Sequence, residues 1–423
     1  MKEQQPQRRS RRPVAKNDGQ IHVKHIDAKG KVVSPKKAKK VKKPWTFKRV
    51  CLRIILPIFL VLAIIVGGLY IAFIMWKNHL LNQIEYIPKE ENPTFINEES
   101  SIVEVSQYIS ETTFPHVEEE HVHNFLLIGI DSRDRKYSDD GTGSLADVIM
   151  VMSVDDKEGT IKLVTIQRDL YAYFPGYSKP WKINSAMNFG GPELLSIVVE
   201  NHLRLKLDGY AFVNFYNMEK VINAVDGIDL EVTKSEVFHE PGGLNSNLAE
   251  QNRLLGEPED TDKVTSAGWI HMNGRQAVAY SRIRSIGNGV YDRSERQVKV
   301  LNALLQKFAD LSTTSKLSAL EDILQMIATN VPKDDIEDYV FDFLPKVRTM
   351  EIETMGIPIE GYYIQGEFSD VRANDWSIRA DWNGMIPIVQ QFLYGETFPF
   401  DHVDDIPKAP KHDANADADT DTE

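Results

Sequence analysis

Cysteine is almost absent from this chain of 423 residues, which contains only Cys51. A single thiol excludes any intramolecular disulfide, whatever compartment the protein occupies. An exported domain without disulfides must rely on its hydrophobic core, which suits the surface of a Gram-positive bacterium better than a disulfide-rich secretory setting. Cys51 lies at the edge of a long apolar segment, where the sequence is compatible with lipidation and with an unmodified thiol.

Several catalytic motifs are also missing. The sequence contains no G-x-S-x-G nucleophile elbow, no H-E-x-x-H zinc helix and no P-loop, which counts against hydrolase and nucleotide-kinase functions. His121 and His123 alternate at the start of a predicted strand, but no third ligand stands at a useful spacing. We therefore interpret them as a surface pair and not as a transition-metal site.

Charge is divided unevenly along the chain. Residues 1–53 contain 18 Lys or Arg against 3 Asp or Glu, a net charge of +15, whereas the remaining 370 residues contain 31 basic and 59 acidic residues, a net charge of −28. The basic segment has almost no apolar periodicity, which predicts a disordered tail. Its densest run, Lys36–Lys43, is compatible with a nucleic-acid arm, but membrane topology and attraction to anionic lipid explain the charge without one.

A transmembrane helix is predicted at 54–76, where 23 consecutive residues have no charge. At ~1.5 Å per residue they form about 35 Å of helix, enough to cross a ~30 Å hydrocarbon core. The segment is too long for a signal-peptide core and no small-residue cleavage site follows it, so we expect an uncleaved anchor. Lys48, Arg49 and Arg53 precede it, which predicts a cytoplasmic N-terminus and an extracytoplasmic main domain at the cell membrane.

The chain after the anchor divides into three predicted parts. Residues 77–120 contain three prolines and an acidic stretch and are expected to form an extracellular stalk. Residues 121–398 are expected to form the catalytic domain. Residues 399–423 are rich in Asp, Ala and Thr, which predicts a disordered acidic tail.

Short β-rich runs alternate with helical patterns in the main domain. The predicted strands are 125–130, 148–154 and 161–166. The predicted helices include 192–203, 216–225, 292–308 and 383–394. This alternation predicts an α/β fold, with the polar, turn-rich residues 235–268 as an exposed excursion.

Charged residues stand at the ends of these predicted strands. Asp131 and Arg133 follow the first strand, Asp147 precedes the second, and Arg168 follows the third. Two carboxylates at neighbouring strand ends suit one hard cation such as Mg2+, although both are also interpretable as ordinary strand-end caps. Arginine beside them provides planar bidentate donors for phosphate oxygens, but a single arginine is more often a solvated charge.

Further arginines follow near residue 290. Arg282 and Arg284 are two apart on a segment predicted to be extended, which would direct both guanidinium groups to one face. The next helix, with Asp292 as its predicted N-cap, begins with polar groups that suit an anion and continues apolar. It is interpretable as a site for a pyrophosphate head with a hydrocarbon tail, or as an amphipathic core helix with a solvated first turn. The residues of this face are Arg293, Arg296, Gln297, Val300 and Leu304.

Seven segments between about residues 120 and 312 resemble, in the same order, motifs of the LytR-CpsA-Psr family. They are NFLLIGIDSR, ADVIMVMSV, LVTIQRDLY, PGY…KINSAMNFGGPELL, VDGIDLEV, MNGRQAVAYSRIR and DRSERQ. The resemblance implies an α/β/α sandwich around a mixed central β-sheet, with an N-terminal single transmembrane helix. It also implies a phosphotransferase that uses Mg2+ or Mn2+ to move a glycopolymer, such as teichoic acid or capsular polysaccharide, from a polyprenyl-pyrophosphate carrier to peptidoglycan.

The resemblance also implies roles for particular residues. Asp131 and Asp147 match metal-associated positions, and Asp131, Arg168, Arg282 and Arg284 match catalytic ones. Val300 and Leu304 are expected to contact the lipid tail. The pyrophosphate contacts implied are Arg133, Arg168, Arg282, Arg284, Arg293 and Gln297. Family members often have an arginine before the second strand, where this chain has Leu145 and Ala146.

Two rival functions come from other classes. A membrane-bound transcriptional attenuator would need a cytoplasmic DNA-reading module, and the sequence before residue 54 shows no helix-turn-helix pattern. We therefore expect no nucleic-acid partner. A non-catalytic protein that binds lipid-linked polymer would have the same site. An enzyme would turn over its substrate, whereas such a protein would bind it stoichiometrically.

Overall fold

The structure is a computed structural model that describes residues 56–88, 94–96, 102–104, 121–130, 144–177, 179–287, 290–343, 346–368 and 376–400. The chain separates into two units, residues 1–72 and residues 73–423. The strands are β1 (Glu85–Tyr86), β2 (Thr94–Ile96), β3 (Ile102–Glu104), β4 (Val122–Ile130), β5 (Ala146–Asp155), β6 (Thr160–Ile166), β7 (Tyr171–Ala172), β8 (Trp181–Lys182), β9 (Gly209–Asn214), β10 (Ile228–Val232), β11 (Gly268–Met272), β12 (Ala328–Thr329), β13 (Glu351–Ile357), β14 (Tyr363–Glu367) and β15 (Trp376–Ala380). The helices are α1 (Leu56–Leu81), α2 (Ser185–Leu203), α3 (Phe215–Ala224), α4 (Lys234–Phe238), α5 (Leu244–Leu255), α6 (Gly274–Ser281), α7 (Val290–Asp310), α8 (Thr313–Leu324), α9 (Lys333–Phe343) and α10 (Trp382–Tyr394), with a 3-10 turn at Val347–Thr349.

The main sheet has seven strands in the order β1-β12-β9-β4-β5-β6-β13. β4 pairs with β9 in parallel and with β5 in antiparallel, β5 pairs with β6 in antiparallel, and β6 pairs with β13 in parallel. The sheet is therefore mixed, which confirms the predicted α/β fold. One consequence is that β4, β6, β9 and β13 end where β5 begins. We call this end of the sheet the site edge.

Alternation along the strands gives the sheet two apolar faces. Leu126 and Ile128 of β4 and Ile149 of β5 pack into a core with residues of α2 and α10. Met150 and Leu163 face the opposite side, where residues of α7 cover them. Helices therefore lie on both faces of the sheet, as the resemblance implied. α7 covers the face that includes Met150 and Leu163.

The predicted strands all form, since 125–130, 148–154 and 161–166 lie within β4, β5 and β6. The helix predicted from Pro192 is the second part of α2. It is preceded by Gly190 and Gly191, whose backbones are not helical. Gly191 has φ of 62°, a conformation that favours glycine because it has no Cβ.

Residues 235–268 are not the exposed excursion that we expected. This segment contains α4 and α5, which pack with α3, α6, α7, β10 and β11 around a second hydrophobic core. Leu244 is buried in this core, and the buried Asn252 donates hydrogen bonds to the carbonyls of Glu259 (3.3 Å) and Thr261 (2.9 Å). The sequence looked polar because side-chain amides stabilise its turns from inside the fold.

The boundary predicted at residue 77 is also misplaced. α1 continues to Leu81, and Leu80, Leu81 and Ile84 are buried in a core with residues of α8 and α9. Glu85–Tyr86 then pairs with β12 and extends the main sheet. The first residues of the expected stalk thus belong to the domain, because a leucine pair and Ile84 supply apolar surface for packing.

Residues 64–81 form a helical segment that is long and apolar enough to cross a membrane by length and composition. This candidate span near the N-terminus fits a single-pass membrane anchor. The two predicted disordered tails, 1–53 and 399–423, lie outside the described residues except for 399 and 400. Most of the expected stalk after residue 88 lies outside them as well.

A buried ion pair joins α4 to α7. The Glu236 carboxylate accepts hydrogen bonds from Arg296 Nε (2.9 Å) and from the Thr233 backbone N–H (2.9 Å). Burial alone would raise the pKa of Glu236, but these bonds outweigh it and the pKa is lowered. Arg296 also donates to the carbonyls of Ile283 (3.3 Å) and Ile286 (3.4 Å), so it anchors the segment that carries Arg284.

We predict that Glu236→Ala destabilises the protein by about 3–5 kcal/mol, because it leaves the Arg296 guanidinium buried without its carboxylate. Urea unfolding of the detergent-solubilised protein measures this loss. Since the pKa of Glu236 is lowered in the folded state, its contribution is present at neutral pH and is lost as the pH falls through that folded pKa.

Glu250→Ala is the matched control, because Glu250 is exposed on α5. We expect that variant to stay within about 0.5 kcal/mol of the wild type. Equal losses for the two variants at neutral pH would contradict the role given to the pair.

Candidate active site

Backbone hydrogen bonds at Asn184 bring Asp147 and Arg168 together at the site edge. Asp147 follows Ala146, which pairs with Ile130 at the end of β4. Arg168 stands two residues beyond β6. The Arg168 carbonyl accepts a hydrogen bond from the Asn184 backbone N–H (3.3 Å), and the Asn184 carbonyl accepts one from the Ala146 backbone N–H (3.4 Å). The backbone at Asn184 therefore holds the start of β5 close to the end of β6.

Ion pairs connect the charged side chains at this edge. Arg168 Nη1 donates to Asp147 Oδ1, and Arg284 Nη2 lies 3.6 Å from Asp147 Oδ2. Arg168 Nε also lies 3.3 Å from Asp169 Oδ2, and Lys182 Nζ lies 3.3 Å from Asp169 Oδ1. Burial lowers the pKa of Arg168, but Asp147 and Asp169 raise it by more, so the pKa is raised overall.

Arg293 adds a third guanidinium group, which has no carboxylate partner among the residues that the structure describes. Its side chain, in the first turn of α7, is 2% exposed. Its Nε has no hydrogen-bond partner among the residues that the structure describes. Burial, and then the positive charges of Arg168 and Arg284, lower the pKa of Arg293 to about 10. Arg293 remains charged at neutral pH, so the arginine cluster of Arg168, Arg284 and Arg293 has an excess of positive charge that suits an anion.

An apolar cavity of about 260 Å³ lies between the sheet and helices α3, α6, α7 and α8. Its lining includes Val300 and Leu304, which we expected to contact the lipid tail, and Gln297, which we expected to contact the pyrophosphate. The other lining residues are Leu127, Ile128, Gly129, Val148, Met150, Ala211, Phe212, Val213, Phe215, Met218, Val278, Ser281, Leu301, Ile323 and Ile327. Aliphatic and aromatic side chains dominate this surface, which suits a hydrocarbon chain.

The apolar cavity reaches the arginine cluster. Val148 lines the cavity and is adjacent to Asp147, and Gln297 lines it one helical turn after Arg293. Gly129 lines it from β4, where an added Cβ would lie 2.9 Å from Val148 Cβ. Glycine at this position therefore keeps the two strands close and the cavity open. A charged head group and an apolar chain of one ligand would be held side by side.

We expected Arg282 and Arg284 to point to the same face, but the structure places their side chains in different surroundings. Arg282 ends α6 with a helical backbone (φ −93°, ψ −3°), so the segment is not extended at this residue. Its guanidinium lies 5.5 Å from the centre of the Phe215 ring, which lines the apolar cavity. Arg284 contacts Asp147 instead. Asp292 is likewise not an N-cap, because α7 begins at Val290 and Asp292 lies in its first turn.

Asp131 and Arg133 lie outside the described residues, so their predicted roles stay predictions. Among the residues that are described, no group of three or more His, Cys, Asp and Glu side chains is arranged to hold a metal ion.

Our sequence reasoning did not single out three other residues at the site. The sequence could have identified Asp169, which directly follows Arg168, and Lys182, which begins the KINSAM segment. No sequence pattern could have identified Phe215, because its contact with Arg282 forms only where α3 meets α6.

The fold and the site define a class: an α/β protein with a candidate membrane anchor, an arginine cluster and an adjoining apolar cavity. The chain belongs to the LytR-CpsA-Psr family, since the sequence profile of the LytR_cpsA_psr family matches residues 88–377. This confirms the resemblance seen in the motifs.

Relatives of this chain have been named as enzymes and as regulators. It is 30% identical over 248 residues to the polyisoprenyl-teichoic acid–peptidoglycan teichoic acid transferase TagU of Enterococcus faecalis, a match covering 57% of this chain and 73% of TagU. It is 28% identical over 243 residues to the regulatory protein MsrR of Staphylococcus aureus, covering 57% of this chain and 65% of MsrR. The crystal structure of Bacillus subtilis TagV matches with a TM-score of 0.50 and 24% identity, covering 67% of this chain and all of that one, and shows the same fold.

We predict that inorganic pyrophosphate stabilises the wild-type protein through Arg293. At about 100 times its dissociation constant, the ligand should add about 2.7 kcal/mol to the free energy of unfolding. Arg293→Met should abolish this gain. It should also raise the melting temperature of the free protein, because it removes a desolvated charge beside two other arginines.

Scanning fluorimetry at constant ionic strength checks both effects. Arg253→Met is the matched control, since the Arg253 side chain is 65% exposed on α5. Equal stabilisation of wild type and Arg293→Met by pyrophosphate would show that Arg293 does not bind the anion.

Proposed function

We propose that this protein is a phosphotransferase that moves a glycopolymer from a polyprenyl-pyrophosphate carrier to peptidoglycan. The observation that carries the proposal is the arginine cluster beside the apolar cavity, because such a carrier has a charged head and a hydrocarbon tail. Membership of the LytR-CpsA-Psr family and the name of the relative TagU, a teichoic acid transferase acting on peptidoglycan, support it.

The arginine cluster would stabilise the leaving group of this reaction. A hydroxyl of a peptidoglycan sugar forms a new bond to the phosphorus nearest the polymer. The bond from that phosphorus to the bridging oxygen breaks, and polyprenyl phosphate leaves with the electron pair. Arg168, Arg284 and Arg293 would donate to the phosphate oxygens, and each charge-assisted hydrogen bond contributes about 1.5–3 kcal/mol. We propose Asp131 as the base that accepts the hydroxyl proton.

Mg2+ or Mn2+ is the proposed cofactor, with Asp131 and Asp147 as its ligands. Asp147 fits this role because it offers hard oxygen atoms at the site edge, next to the arginines that would hold phosphate. These ions commonly use one or two carboxylates and complete their coordination with water and phosphate oxygens. When bound there, the ion would neutralise charge on the pyrophosphate.

The metal proposal predicts that excess chelator abolishes transfer and that added Mg2+ or Mn2+ restores it. Asp147→Asn should lower the transfer rate and raise the metal concentration that gives half-maximal activity. The readout is transfer of labelled polymer by the solubilised protein, measured across a metal titration. Wild-type activity that persists in excess chelator would remove the metal from the mechanism.

The arginine proposal predicts that Arg284→Ala and Arg293→Ala each reduce transfer by about 10- to 100-fold, the loss of one or more charge-assisted hydrogen bonds. Substitution by lysine should also fail, because an ammonium group does not make the bidentate contact. Val300→Asp should weaken binding of the lipid tail while leaving pyrophosphate binding intact.

The assay measures the rate and the stoichiometry of polymer transfer, and the exposed Arg253→Ala variant is the control. Wild-type transfer by the folded double variant Arg284→Ala, Arg293→Ala would refute the site. Stoichiometric binding without turnover by the wild type would instead favour the non-catalytic polymer-binding function.

The N-terminus is proposed to be cytoplasmic and the domain extracytoplasmic, since Lys48, Arg49 and Arg53 precede the candidate span. Protease added to intact protoplasts should then digest the domain at 121–398 and spare residues 1–50. Immunoblots against each end of the protein measure this. Protection of the domain would overturn the orientation and, with it, the extracellular acceptor.

A further inference from the structure

The end of α1 packs behind one wall of the apolar cavity. Residues 76–87, which include the last turns of α1 and strand β1, pack with α8 and α9 and pair with β12. We call them the α1–β1 segment. The buried residues of this shared core are Leu80, Leu81, Ile84, Leu320, Leu324, Val331 and Ile336. The match to the family profile begins at residue 88, so the role of the segment follows from the contacts of this chain.

Helix α8 connects the α1–β1 segment to the apolar cavity. Leu320 and Leu324 lie one helical turn apart and are buried in the core that contains Leu80 and Leu81. Ile323, which directly precedes Leu324, lines the cavity. One side of α8 therefore contacts the segment, and another side contacts the space proposed for the lipid tail.

Strand β12 makes a second connection between them. Ile327 lines the cavity and also packs against the core that contains the α1–β1 segment. The next two residues, Ala328–Thr329, form β12, which pairs with β1 on one side and with β9 on the other. The Ile87 backbone N–H donates to the Thr329 carbonyl (2.8 Å). Two residues make few backbone hydrogen bonds, so β12 depends on both neighbouring strands for its position.

Polar contacts attach the α1–β1 segment to α9. Lys77 Nζ lies 2.6 Å from Glu337 Oε1, and both side chains are partly buried. Lys333 Nζ, at the start of α9, donates to Asn82 Oδ1 (3.3 Å). These contacts fix the rotation of the last turns of α1 over α9, which keeps Leu80 in the core.

We propose that the α1–β1 segment positions the wall of the apolar cavity for the lipid tail, and that Leu80 is a positioning residue. By packing on α8 and pairing with β12, the segment holds Ile323 and Ile327 in place. The inference rests on the proposed function, since it concerns the tail of the proposed carrier. A displaced wall would bury less of a hydrocarbon chain and so weaken its binding.

Binding of the pyrophosphate head group should not depend on the segment. The arginine cluster is held by other contacts, since Arg168 is fixed at Asn184 and the segment of Arg284 is fixed by Arg296. The affinity for a prenyl pyrophosphate, relative to that for inorganic pyrophosphate, therefore reports on the wall and not on the charged site.

Three substitutions of buried leucines separate positioning from general destabilisation. Leu80→Ala shortens a side chain that is 2% exposed and does not itself line the cavity, and Leu80→Val is a milder version of it. Leu393→Ala is the matched control, because Leu393 is 1% exposed in the core with α2 and α10 on the other face of the sheet. Leu80→Met keeps the volume of the side chain and should restore wild-type behaviour.

The experiment is calorimetry on the full-length protein in detergent, with farnesyl pyrophosphate and inorganic pyrophosphate as ligands. Leu80→Ala should weaken binding of farnesyl pyrophosphate by about fivefold, and Leu80→Val by a smaller factor. Binding of inorganic pyrophosphate should not change in either variant. Leu393→Ala and Leu80→Met should bind both ligands as the wild type does. Circular dichroism and melting temperatures establish that each variant is folded and how much stability it has lost.

Two results would overturn the inference while leaving the proposed function in place. One is wild-type affinity for farnesyl pyrophosphate in the folded Leu80→Ala and Leu80→Val variants. The other is an equal loss of that affinity in Leu393→Ala, which would show that lost stability alone is responsible. A wild-type protein that binds farnesyl pyrophosphate no more tightly than inorganic pyrophosphate would instead refute the tail site, and with it the proposed carrier.

Discussion

The site depends on one buried carboxylate that holds two arginines. Asp147 accepts from Arg168 and lies 3.6 Å from Arg284, while Arg293 nearby has no carboxylate partner in the described part of the chain. Guanidinium groups in partly desolvated positions repel one another, so the cluster persists only because the surrounding fold fixes it. The turn at Asn184 fixes Arg168, and the buried Arg296 fixes the segment of Arg284. Excess positive charge is thus built into the folded protein.

Helix α7 connects the arginine cluster to the apolar cavity. Its first turn carries Arg293, and the side with Val300 and Leu304 lines the apolar cavity. A single helix therefore connects the residues suited to a charged head group with those suited to a hydrocarbon tail. Under the proposed function, this arrangement would position the phosphate and the lipid tail of the carrier for reaction.

The buried charge of Arg293 lowers the stability of the free protein. Arg293 Nε is buried without a hydrogen-bond partner among the described residues, a cost that the proposed anionic ligand would reduce on binding. Functional sites commonly carry such costs, and the second core around α4 and α5 supplies rigid support for the segment bearing the arginines. Relatives with regulatory names, such as MsrR, share the family, but the arginine cluster and the apolar cavity suit the anionic lipid of the proposed function.

The sequence alone determined the features that depend on near neighbours in the chain. Period-two runs located β4, β5 and β6, and charge-free length located the candidate span, because side-chain direction and helix length follow from local geometry. Contacts between distant segments decided the rest. Spacing placed Arg293 and Arg296 on adjacent positions of one helix, yet only packing directs one to the arginine cluster and the other to Glu236. The burial of α5 and the apolar cavity likewise depend on contacts between elements, since a cavity exists only where the surfaces that enclose it meet.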